Sequence, residues 1–425
     1  MLAGVRSVEK FIIKGGRPLS GTIDVHGAKN AVLPILAAAI LTRGTVRIHS
    51  CPDLADVDNM LAILQHLGCG VDRYAGGVAI EPGPAQEHRM PDEFSHRIRS
   101  SIFMLGPILG RFHRACFTYP GGCEIGLRPV DLHLNGLRAL GARIDESHGL
   151  IYCEGELHGA EVHLDYPSVG ATENVMMAAV LAQGTTLIRN AAREPEILDL
   201  QRFINRMGGK ITGAGSSTIR VEGVSIDELT DVEYTVLPDR IVAGTYMVAA
   251  AMTGGDIRIN GAVGECVAPV TAKLREAGCR VLVDRDAIRV SGQGPLKAVD
   301  LIETLPYPGF PTDMQAQMMS MAAIAGGTTV IVENVFENRF RHAAELRRMG
   351  ARITIKNRMA IVQGVPQLKG AQVSAWDLRA GAALVLAGLV AEGETVVTDV
   401  EYIDRGYERL EQALAGLGAD IVRVY

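Results

Sequence analysis

The sequence lacks any apolar run long enough to cross a lipid bilayer. Its most apolar stretches, such as Ala31–Leu41 and Val175–Leu181, are far shorter than the ~20 residues of a membrane-spanning helix. The segment Met1–Lys14 carries scattered charges and has no continuous apolar core, so it does not resemble a signal peptide. We therefore expect no membrane insertion and interpret the apolar stretches as buried helices.

Cysteine pairs and a strong net charge are also missing. The seven cysteines are an odd number and include no CxxC pair or zinc-ligand spacing, which favours free thiols in a reducing cytoplasm. A formal net charge of -6 gives no reason to expect a nucleic-acid partner. With 48% hydrophobic and 21% charged residues the chain is typical of globular proteins. Its 425 residues exceed one ordinary core, so we expect two domains.

What the sequence does contain is one unit repeated six times with a period of about 70 residues. A Gly or Ala followed by a short strand-like run opens each copy, at Gly44, Ala115, Gly184, Gly255, Gly327 and Gly393. An amphipathic helix follows in each copy and ends in glycine, at Gly68, Gly141, Gly208, Gly278, Gly350 and Gly418. Glycine at that place is typical of a left-handed helix C-cap.

A second, almost wholly apolar helix lies between the copies. Its six instances are predicted at Ala31–Leu41, Ile102–Leu109, Thr172–Leu181, Ile241–Met252, Met314–Ala325 and Ala380–Val390. Because they are apolar on nearly all sides, these helices should be interior ones, enclosed by the sheets and the amphipathic helices. The pattern predicts an α/β protein with three units in each of two domains. We expect residues 1–28 and 238–425 to form a C-terminal domain and residues 29–237 an N-terminal domain, with Pro238 near the junction.

Polar residues suited to chemistry precede the predicted helices. Helix N-termini bind anions readily, because their first N–H groups are unpaired and lie at the positive end of the helix dipole. Lys29 and Asn30 precede the first apolar helix, and Arg379 precedes the last. A simpler interpretation exists for Ser168, Asp239, Asp313 and Asp377. All four are good N-cap residues, and capping alone would explain their type.

Cys123 differs from the other cysteines in its surroundings. Nearby glycines should expose its thiol, while Arg128 and the start of the following helix could lower the thiol pKa. Cys69 and Cys279, beside helix-ending glycines, are expected to be packed residues. His133, in the first turn of the next helix, either orients the Cys123 loop or simply packs. We interpret Cys123 as the reactive thiol.

The segment Pro120–His133, with the sequence PGGCEIGLRPVDLH, resembles the mobile catalytic loop of the UDP-N-acetylglucosamine enolpyruvyl transferases. Further segments are similar to motifs of that family in the same order: Gly27–Asn30, Ala191–Glu196, Leu237–Arg240, Phe310–Gln317, Val335–Arg339, Asp377–Arg379 and Ile403–Glu408. The resemblance covers nearly the whole chain, and so many motifs in one order are very specific.

This resemblance implies a two-domain inside-out α/β barrel with three repeated units per domain. It implies a transferase that moves enolpyruvate from phosphoenolpyruvate to the 3-hydroxyl of UDP-N-acetylglucosamine and releases phosphate. That reaction is the first committed step of peptidoglycan precursor synthesis, and it proceeds by addition and elimination through a tetrahedral ketal. The resemblance also implies a cytoplasmic enzyme, two small-molecule substrates, no metal or organic cofactor, and reaction with fosfomycin.

The same resemblance assigns roles to individual residues. Cys123 would be the acid at the enol methylene carbon, and Asp313 would take the proton of the attacking sugar hydroxyl. Lys29, Arg128 and Arg405 would hold the phosphate of phosphoenolpyruvate, and Arg339 and Arg379 its carboxylate. The residues implied in contacts to the UDP-sugar are Asn30, Arg99, Arg128, Pro129, Val130, Asp131, Leu132, Ser168, Val169, Asp313 and Val335. Asp377, beside Arg379, is also included among the substrate-binding residues.

Two other functions compete with this one. The shikimate-pathway enolpyruvyl transferase shares the implied fold and cations, but the Cys123 loop and the segment Arg128–Leu132 argue against it. A non-catalytic UDP-sugar-binding regulator is the second alternative. The joint presence of Cys123, Lys29 and Asp313 argues against that alternative, because a silent protein would be free to lose any of them.

If Cys123 is the exposed, acidic thiol, the epoxide fosfomycin should alkylate it in preference to the other six cysteines. UDP-N-acetylglucosamine should speed the reaction by ordering the loop. Peptide mass mapping after partial alkylation checks the site. The variant Cys123→Asp, which keeps a proton donor, should retain some turnover and lose the adduct. An adduct found mainly on Cys116 or Cys266 would contradict the assignment.

Overall fold

The computed structural model describes residues 9–90, 99–118 and 130–425, and for residues 99 and 100 it describes the backbone only. Contacts divide the chain into two compact units, with crossings between Val25 and His26 and between Leu237 and Pro238. We call the part from His26 to Leu237 the N-unit. The C-unit consists of the chain before His26 together with Pro238–Tyr425.

The first crossing differs from the expected boundary after residue 28. Val25 still belongs to the C-unit, since its N–H donates to Asn260 O at 3.1 Å. Ala28 belongs to the N-unit, since its N–H donates to Leu237 O at 2.7 Å. Gly27 lies so close to the same unit that a β-carbon there would be 1.9 Å from Ser50 O. These backbone contacts, which the sequence pattern does not reveal, fix the crossing three residues earlier.

Strands in the described residues are short, and most alternate between buried and exposed side chains. They are β1 (Lys10–Lys14), β2 (Ser20–Asp24), β3 (Val46–His49), β4 (Gly70–Tyr74), β5 (Gly77–Glu81), β6 (Arg114–Thr118), β7 (Arg143–Ser147), β8 (Leu150–Glu154), β9 (Glu161–His163), β10 (Thr185–Arg189), β11 (Lys210–Thr212), β12 (Thr218–Glu222), β13 (Val232–Thr235), β14 (Asp256–Asn260), β15 (Arg280–Val283), β16 (Ala287–Ser291), β17 (Leu301–Thr304), β18 (Thr328–Glu333), β19 (Arg352–Lys356), β20 (Met359–Gln363), β21 (Gln372–Ser374), β22 (Glu394–Thr398) and β23 (Asp420–Val424).

Helices alternate between a buried and an amphipathic kind. The buried helices are α1 (Lys29–Ala38), α3 (Leu105–Phe112), α5 (Val169–Val180), α7 (Arg240–Thr253), α9 (Gln315–Ala322) and α11 (Leu378–Val390). The amphipathic helices are α2 (Ala55–His66), α4 (Asp131–Ala139), α6 (Pro195–Arg206), α8 (Ala268–Glu276), α10 (His342–Arg348) and α12 (Leu410–Gly416). No helix in the described ranges is long and apolar enough to cross a membrane.

The described residues form six small sheets, three in each unit. The N-unit has the strand orders β13-β3-β5-β4, β6-β8-β7 and β11-β12-β10-β9, and the C-unit has β15-β16-β14-β2, β17-β18-β20-β19 and β21-β22-β1-β23. Every four-stranded sheet joins one parallel strand to an antiparallel set of three. The predicted six-fold repeat, with three copies per unit, is therefore confirmed.

The buried helices form the interior of each unit. All residues of α7 from Ile241 to Met252 are buried, and α11 is buried from Arg379 to Leu389. Within the C-unit, α7, α9 and α11 contact one another. With helices inside and sheets around them, each unit is an inside-out α/β barrel, as predicted. The amphipathic helices end as the sequence indicates, because all six glycines named above have φ between 94° and 115°.

A glycine at one position of the repeat allows the last antiparallel strand to approach the end of the buried helix. Gly223, after β12, donates its N–H to Gly184 O, and a β-carbon on it would lie 1.6 Å from Ala182 O. Gly364, after β20, donates to Gly327 O, and its β-carbon would lie 1.6 Å from Ala325 O. The same close backbone contact therefore occurs in both units.

Gly364→Ala should destabilise the protein by about 1–3 kcal/mol, because the methyl group would overlap a backbone oxygen that cannot move freely. Gly416→Ala is the matched control in the same unit. A β-carbon at Gly416 meets no atom within 4 Å, so this change should alter stability by ~1 kcal/mol at most, in the stabilising direction. Thermal unfolding of both variants measures the difference. Equal midpoints would contradict the close-contact explanation.

Candidate active site

Asp313 lies between two buried arginines of the C-unit. It is in a 3-10 turn, Thr312–Met314, directly before α9. Arg339 Nη2 donates to Asp313 Oδ1 at 2.6 Å, and Arg379 Nη2 donates to Oδ2 at 3.3 Å. The side chains of Arg339 and Arg379 are only 4% and 3% exposed, whereas that of Asp313 is 24% exposed. One carboxylate thus stands at the accessible side of two buried guanidinium groups.

These contacts decide between the two interpretations of Asp313. The N-cap of its turn is Pro311, and the carboxylate of Asp313 binds arginine side chains. The capping interpretation is therefore wrong for this residue. It is right for Ser168, Asp239 and Asp377, whose side chains accept hydrogen bonds from the first N–H groups of α5, α7 and α11.

The charges around Asp313 favour the ionised form of its carboxyl group. Partial burial alone would raise the pKa of its carboxyl, but the guanidinium groups of Arg379 and Arg339 hold the pKa well below its usual range. Burial likewise works against the charge of Arg379, yet Tyr407 and Asp313 raise the pKa of its guanidinium above the ordinary value. Arg339 Nε and Arg379 Nη1 are buried and have no hydrogen-bond partner in the described structure. Unpaired buried donors are costly, so these two call for an explanation, and a bound ligand would be one.

The buried carboxylate of Glu333 holds segments of this cluster together by hydrogen bonds. It ends β18, and its Oε2 accepts from Thr312 Oγ1 at 2.8 Å. Its Oε1 accepts from Val335 N at 2.9 Å and from Thr304 Oγ1 at 2.9 Å. Arg339 Nη1 in turn donates to Thr312 Oγ1 at 2.7 Å. Glu333 thereby ties Val335 and Arg339 to the turn that carries Asp313, a role the sequence pattern does not reveal.

Arg405 is the last residue of the 3-10 turn Val400–Arg405 and is half-buried. The neighbouring Asp404 accepts from Arg423 Nη1 at 2.9 Å, and Glu9 accepts from the same atom at 2.7 Å. Arg423 also lies over the ring of Phe11, 4.9 Å from its centroid. The turn that carries Arg405 is thereby fastened to β1 and β23, next to the last sheet of the C-unit.

Lys29 of the N-unit is buried and paired. It is the first residue of α1, and its Nζ lies 2.6 Å from Asp56 Oδ2 in the first turn of α2. Both side chains are nearly inaccessible, 10% and 3% exposed. Asp56 supplies a counter-charge to the ammonium group and fixes its position. The sequence pattern gave no sign of Asp56, since an acidic residue in a first helical turn is ordinary.

Other predicted residues of the N-unit lie at the starts of α4 and α5. Val130 is the buried N-cap of α4, Asp131 is exposed and Leu132 is half-buried. Ser168 caps α5 and Val169 begins it. These two helix starts are close together, since a β-carbon on Gly170 would lie 3.0 Å from His133 Cε1. Asn30 is half-buried in the first turn of α1.

Several predicted site residues fall outside the described part of the chain. They are Cys123, Arg128 and Pro129, together with the side chain of Arg99, whose backbone begins the 3-10 turn Arg99–Met104. The six described cysteines are free thiols, and Cys69 and Cys279 are packed as expected. Burial raises the pKa of the Cys69, Cys153 and Cys279 thiols to about 11, 12 and 11, which makes them poor nucleophiles at neutral pH.

In the described part of the chain, two clefts and the arrangement of metal-ligating side chains were compared with the predicted site residues. Two clefts of about 500 and 510 Å³ in the N-unit are lined by residues such as Arg111 and Tyr152 and by none of the predicted ones. Neither lining contains a carboxylate between buried cations, which is the arrangement found at Asp313. Among residues 9–90, 99–118 and 130–425, no group of three or more His, Cys, Asp or Glu side chains is placed to hold a metal ion.

Three repeats around buried helices in each unit define a two-domain α/β protein, in whose C-unit the carboxylate of Asp313 contacts two buried arginines. A sequence model of the family described as EPSP synthase (3-phosphoshikimate 1-carboxyvinyltransferase) matches residues 13–414. The chain belongs to this family of enolpyruvyl transferases and is a transferase enzyme.

Curated relatives and solved structures agree with that family. The chain is 53% identical over 416 residues to UDP-N-acetylglucosamine 1-carboxyvinyltransferase 2 of Caldanaerobacter subterraneus subsp. tengcongensis, covering 98% of this chain and 99% of the relative. It is 53% identical over 427 residues to UDP-N-acetylglucosamine 1-carboxyvinyltransferase 1 of Symbiobacterium thermophilum, covering 99% and 96%. The enolpyruvyl transferase NikO from Streptomyces tendae is similar with a TM-score of 0.87 at 25% identity, covering 98% and 99%. EPSP synthase from Acinetobacter baumannii shares the fold, with a TM-score of 0.74 at 19% identity and coverage of 99% and 100%.

Asp313→Asn should lower stability at pH 7 by about 1–3 kcal/mol, because two buried guanidinium groups lose their counter-charge. The folded-state pKa of Asp313 is depressed, so its contribution is present above the unfolded pKa of about 3.9 and fades as the pH falls below it. The gap between wild type and variant in thermal midpoint should therefore narrow below about pH 4. Asp377→Asn is the control, since Asn caps a helix as well as Asp. A gap that stays constant from pH 7 to 3 would count against this electrostatic explanation.

Proposed function

We propose that this enzyme transfers enolpyruvate from phosphoenolpyruvate to the 3-hydroxyl of UDP-N-acetylglucosamine and releases phosphate. The observation that carries the proposal is the ionised Asp313 held between Arg339 and Arg379. It provides a proton acceptor for a hydroxyl next to cations for an anionic co-substrate. In peptidoglycan-forming bacteria this reaction would commit UDP-N-acetylglucosamine to the cell wall.

Support for this acceptor sugar comes from the relatives. Proteins that are 53% identical over nearly the full length are named for UDP-N-acetylglucosamine. EPSP synthase, the shikimate-pathway relative, is only 19% identical and shares the fold. The segment Arg128–Leu132, which resembles the sugar-nucleotide contacts of the first group, supports the same choice.

We assign the carboxylate of phosphoenolpyruvate to Arg339 and Arg379. Guanidinium groups bind carboxylates two N–H groups at a time, and both arginines are buried where water does not compete. The buried Arg339 Nε and Arg379 Nη1 supply donors that Asp313 does not use. Lys29, Arg128 and Arg405 are assigned to the phosphate group, with Lys29 held in position by Asp56.

Binding of the substrate carboxylate also explains how Asp313 becomes a base. While the arginines bind Asp313, its pKa is far too low for it to attract a proton efficiently. A substrate carboxylate bound to the other N–H groups of these arginines offsets part of their positive charge and adds a like charge near Asp313. Both effects raise the pKa of Asp313 toward its ordinary value. The base is therefore strengthened when phosphoenolpyruvate is bound.

The chemical steps then balance as follows. Asp313 removes the proton of the sugar 3-hydroxyl, and the hydroxyl oxygen forms a bond to C2 of phosphoenolpyruvate. At the same time Cys123 protonates the methylene carbon. In the elimination from the resulting tetrahedral ketal, the Cys123 thiolate takes back a proton from the new methyl group as the C–O bond to phosphate breaks, and Asp313 gives its proton to the departing phosphate. This restores the double bond and releases phosphate. The cationic residues stabilise the charge that develops in both steps.

The remaining substrate contacts are proposed for Asn30, Arg99, Pro129, Val130, Asp131, Leu132, Ser168, Val169, Val335 and Asp377. Asp377 already caps α11, so its contribution would be to hold Arg379 in place. A cytoplasmic location is proposed because the described cysteines are free thiols, as is typical of a reducing compartment.

Phosphate release on mixing the protein with phosphoenolpyruvate and UDP-N-acetylglucosamine tests the proposal. We expect turnover with that acceptor and none with shikimate 3-phosphate. Asp313→Ala should lower kcat by about 10²-fold or more, because the base is lost. Ser320→Ala, which removes a buried hydrogen bond to Ala383 O elsewhere in the C-unit, should leave kcat nearly unchanged. Turnover with shikimate 3-phosphate instead, or with neither acceptor, would overturn the proposal.

A further inference from the structure

A buried amide in α5 connects three segments of the N-unit. Asn174 is fully buried in this largely apolar helix, where it follows the buried Thr172 and Glu173. Its Oδ1 accepts from Gly106 N at 2.7 Å, and its Nδ2 lies 2.8 Å from Ile102 O and 2.8 Å from His133 Nδ1. The three partners belong to the start of α3, to the turn Arg99–Met104 and to the first turn of α4.

The partners fix the orientation of the amide and the tautomer of His133. Gly106 N can only donate and Ile102 O can only accept, so Oδ1 must face Gly106 and Nδ2 must face Ile102. The second hydrogen of Nδ2 is then directed at His133 Nδ1, which must accept it. His133 is therefore neutral, with its proton on Nε2. Every hydrogen-bonding group of the Asn174 side chain has a defined role.

The C-unit has a second amide at the same place in the repeat. Gln317 of α9 lies ten residues before Gly327, as Asn174 lies ten residues before Gly184. Gln317 is also fully buried, and its Nε2 lies 3.0 Å from Asp313 O, 3.2 Å from Thr245 Oγ1 and 3.1 Å from Tyr407 Oη. Tyr407 lies beneath Arg379, whose guanidinium carbon is 5.4 Å from the ring centroid.

Neither amide is explained by packing alone. A buried primary amide is costly unless its groups have partners, and Leu or Met would fill the space without that requirement. The groups of Asn174 all have partners, whereas Gln317 Oε1 is buried and has none in the described structure. The contacts share one property: each amide joins its helix to segments that carry proposed substrate-binding residues. Asn174 joins α5, which begins at Val169, to the segments of Arg99 and of Asp131. Gln317 joins α9 to the turn of Asp313 and to the support of Arg379.

We propose that Asn174 and Gln317 are repeat-equivalent positioning residues, Asn174 for the sugar-nucleotide segments and Gln317 for the base and the carboxylate-binding arginine. This inference rests on the proposed function, which supplies the two substrates. The effects of the two residues on those substrates are separable, because each amide contacts segments of its own unit. If these residues had only a structural role, substituting them would lower stability without affecting the binding of one substrate more than that of the other.

The test compares Asn174→Leu with Gln317→Leu, and Ser320→Ala serves as the structural control. Asn174→Leu should weaken calorimetric binding of UDP-N-acetylglucosamine by about tenfold or more, with KM for phosphoenolpyruvate changed less than about threefold. Gln317→Leu should do the reverse, raising KM for phosphoenolpyruvate or lowering kcat by about tenfold. Ser320→Ala should change neither. Thermal midpoints confirm that each variant is folded at the assay temperature.

Asn174→Asp and Gln317→Glu keep the size of each side chain and one acceptor, so they serve if a leucine variant does not fold. They should show the same separation, since each loses the N–H donors that its carbonyl partners require. If substitution of either residue weakens the binding of both substrates equally, the inference is overturned. It is also overturned if stability falls while binding and turnover stay unchanged. Wild-type protein that binds no UDP-N-acetylglucosamine and releases no phosphate instead overturns the proposed function itself.

Discussion

Six helices without a polar side cannot remain in contact with water, and the architecture follows from enclosing them. An amphipathic helix can be covered by one layer, but a helix such as α11 needs partners all around it. Three of these helices contact one another in the C-unit, and three sheets and three amphipathic helices supply the remaining cover. Each repeat of about 70 residues provides one interior helix together with one of the sheets and one of the amphipathic helices that cover it.

Because these helices are enclosed, the few charged and amide side chains in the interior constrain the positions of their neighbours. A charge or amide within such an interior is stable only when its partners are fixed, so each one imposes geometry on its neighbours. Lys29 requires Asp56, the paired arginines require Asp313, and Thr312 is held by Glu333. The described groups that we propose for the active site, Lys29, Asp313, Arg339 and Arg379, are therefore held by fixed partners.

The repeat, the interior helices and the glycine C-caps could be predicted from the sequence because they depend on local periodicity and on backbone conformation. The partners Asp56, Glu333 and Asn174 could not, because each lies far along the chain from the group it holds. Asn174 did leave a signal, since a polar residue in the middle of an apolar helix is anomalous. Asp313 shows the limit of local reasoning: its place before a helix is typical of a cap, and only two residues distant in sequence, Arg339 and Arg379, show otherwise.

The position of β1 has a consequence for synthesis on the ribosome. This strand lies between β22 and β23, so residues 10–14 pair with residues 394–398 and 420–424. A strand that emerges first must remain without its partners until almost the entire chain has been made, which takes tens of seconds at about 5–20 residues per second. In the N-unit, β3 waits for β13, which lies about half as far along the chain, so this unit can fold while the rest is translated. During that interval Phe11 and Ile13, fully buried in the finished protein, are exposed to solvent or to chaperones.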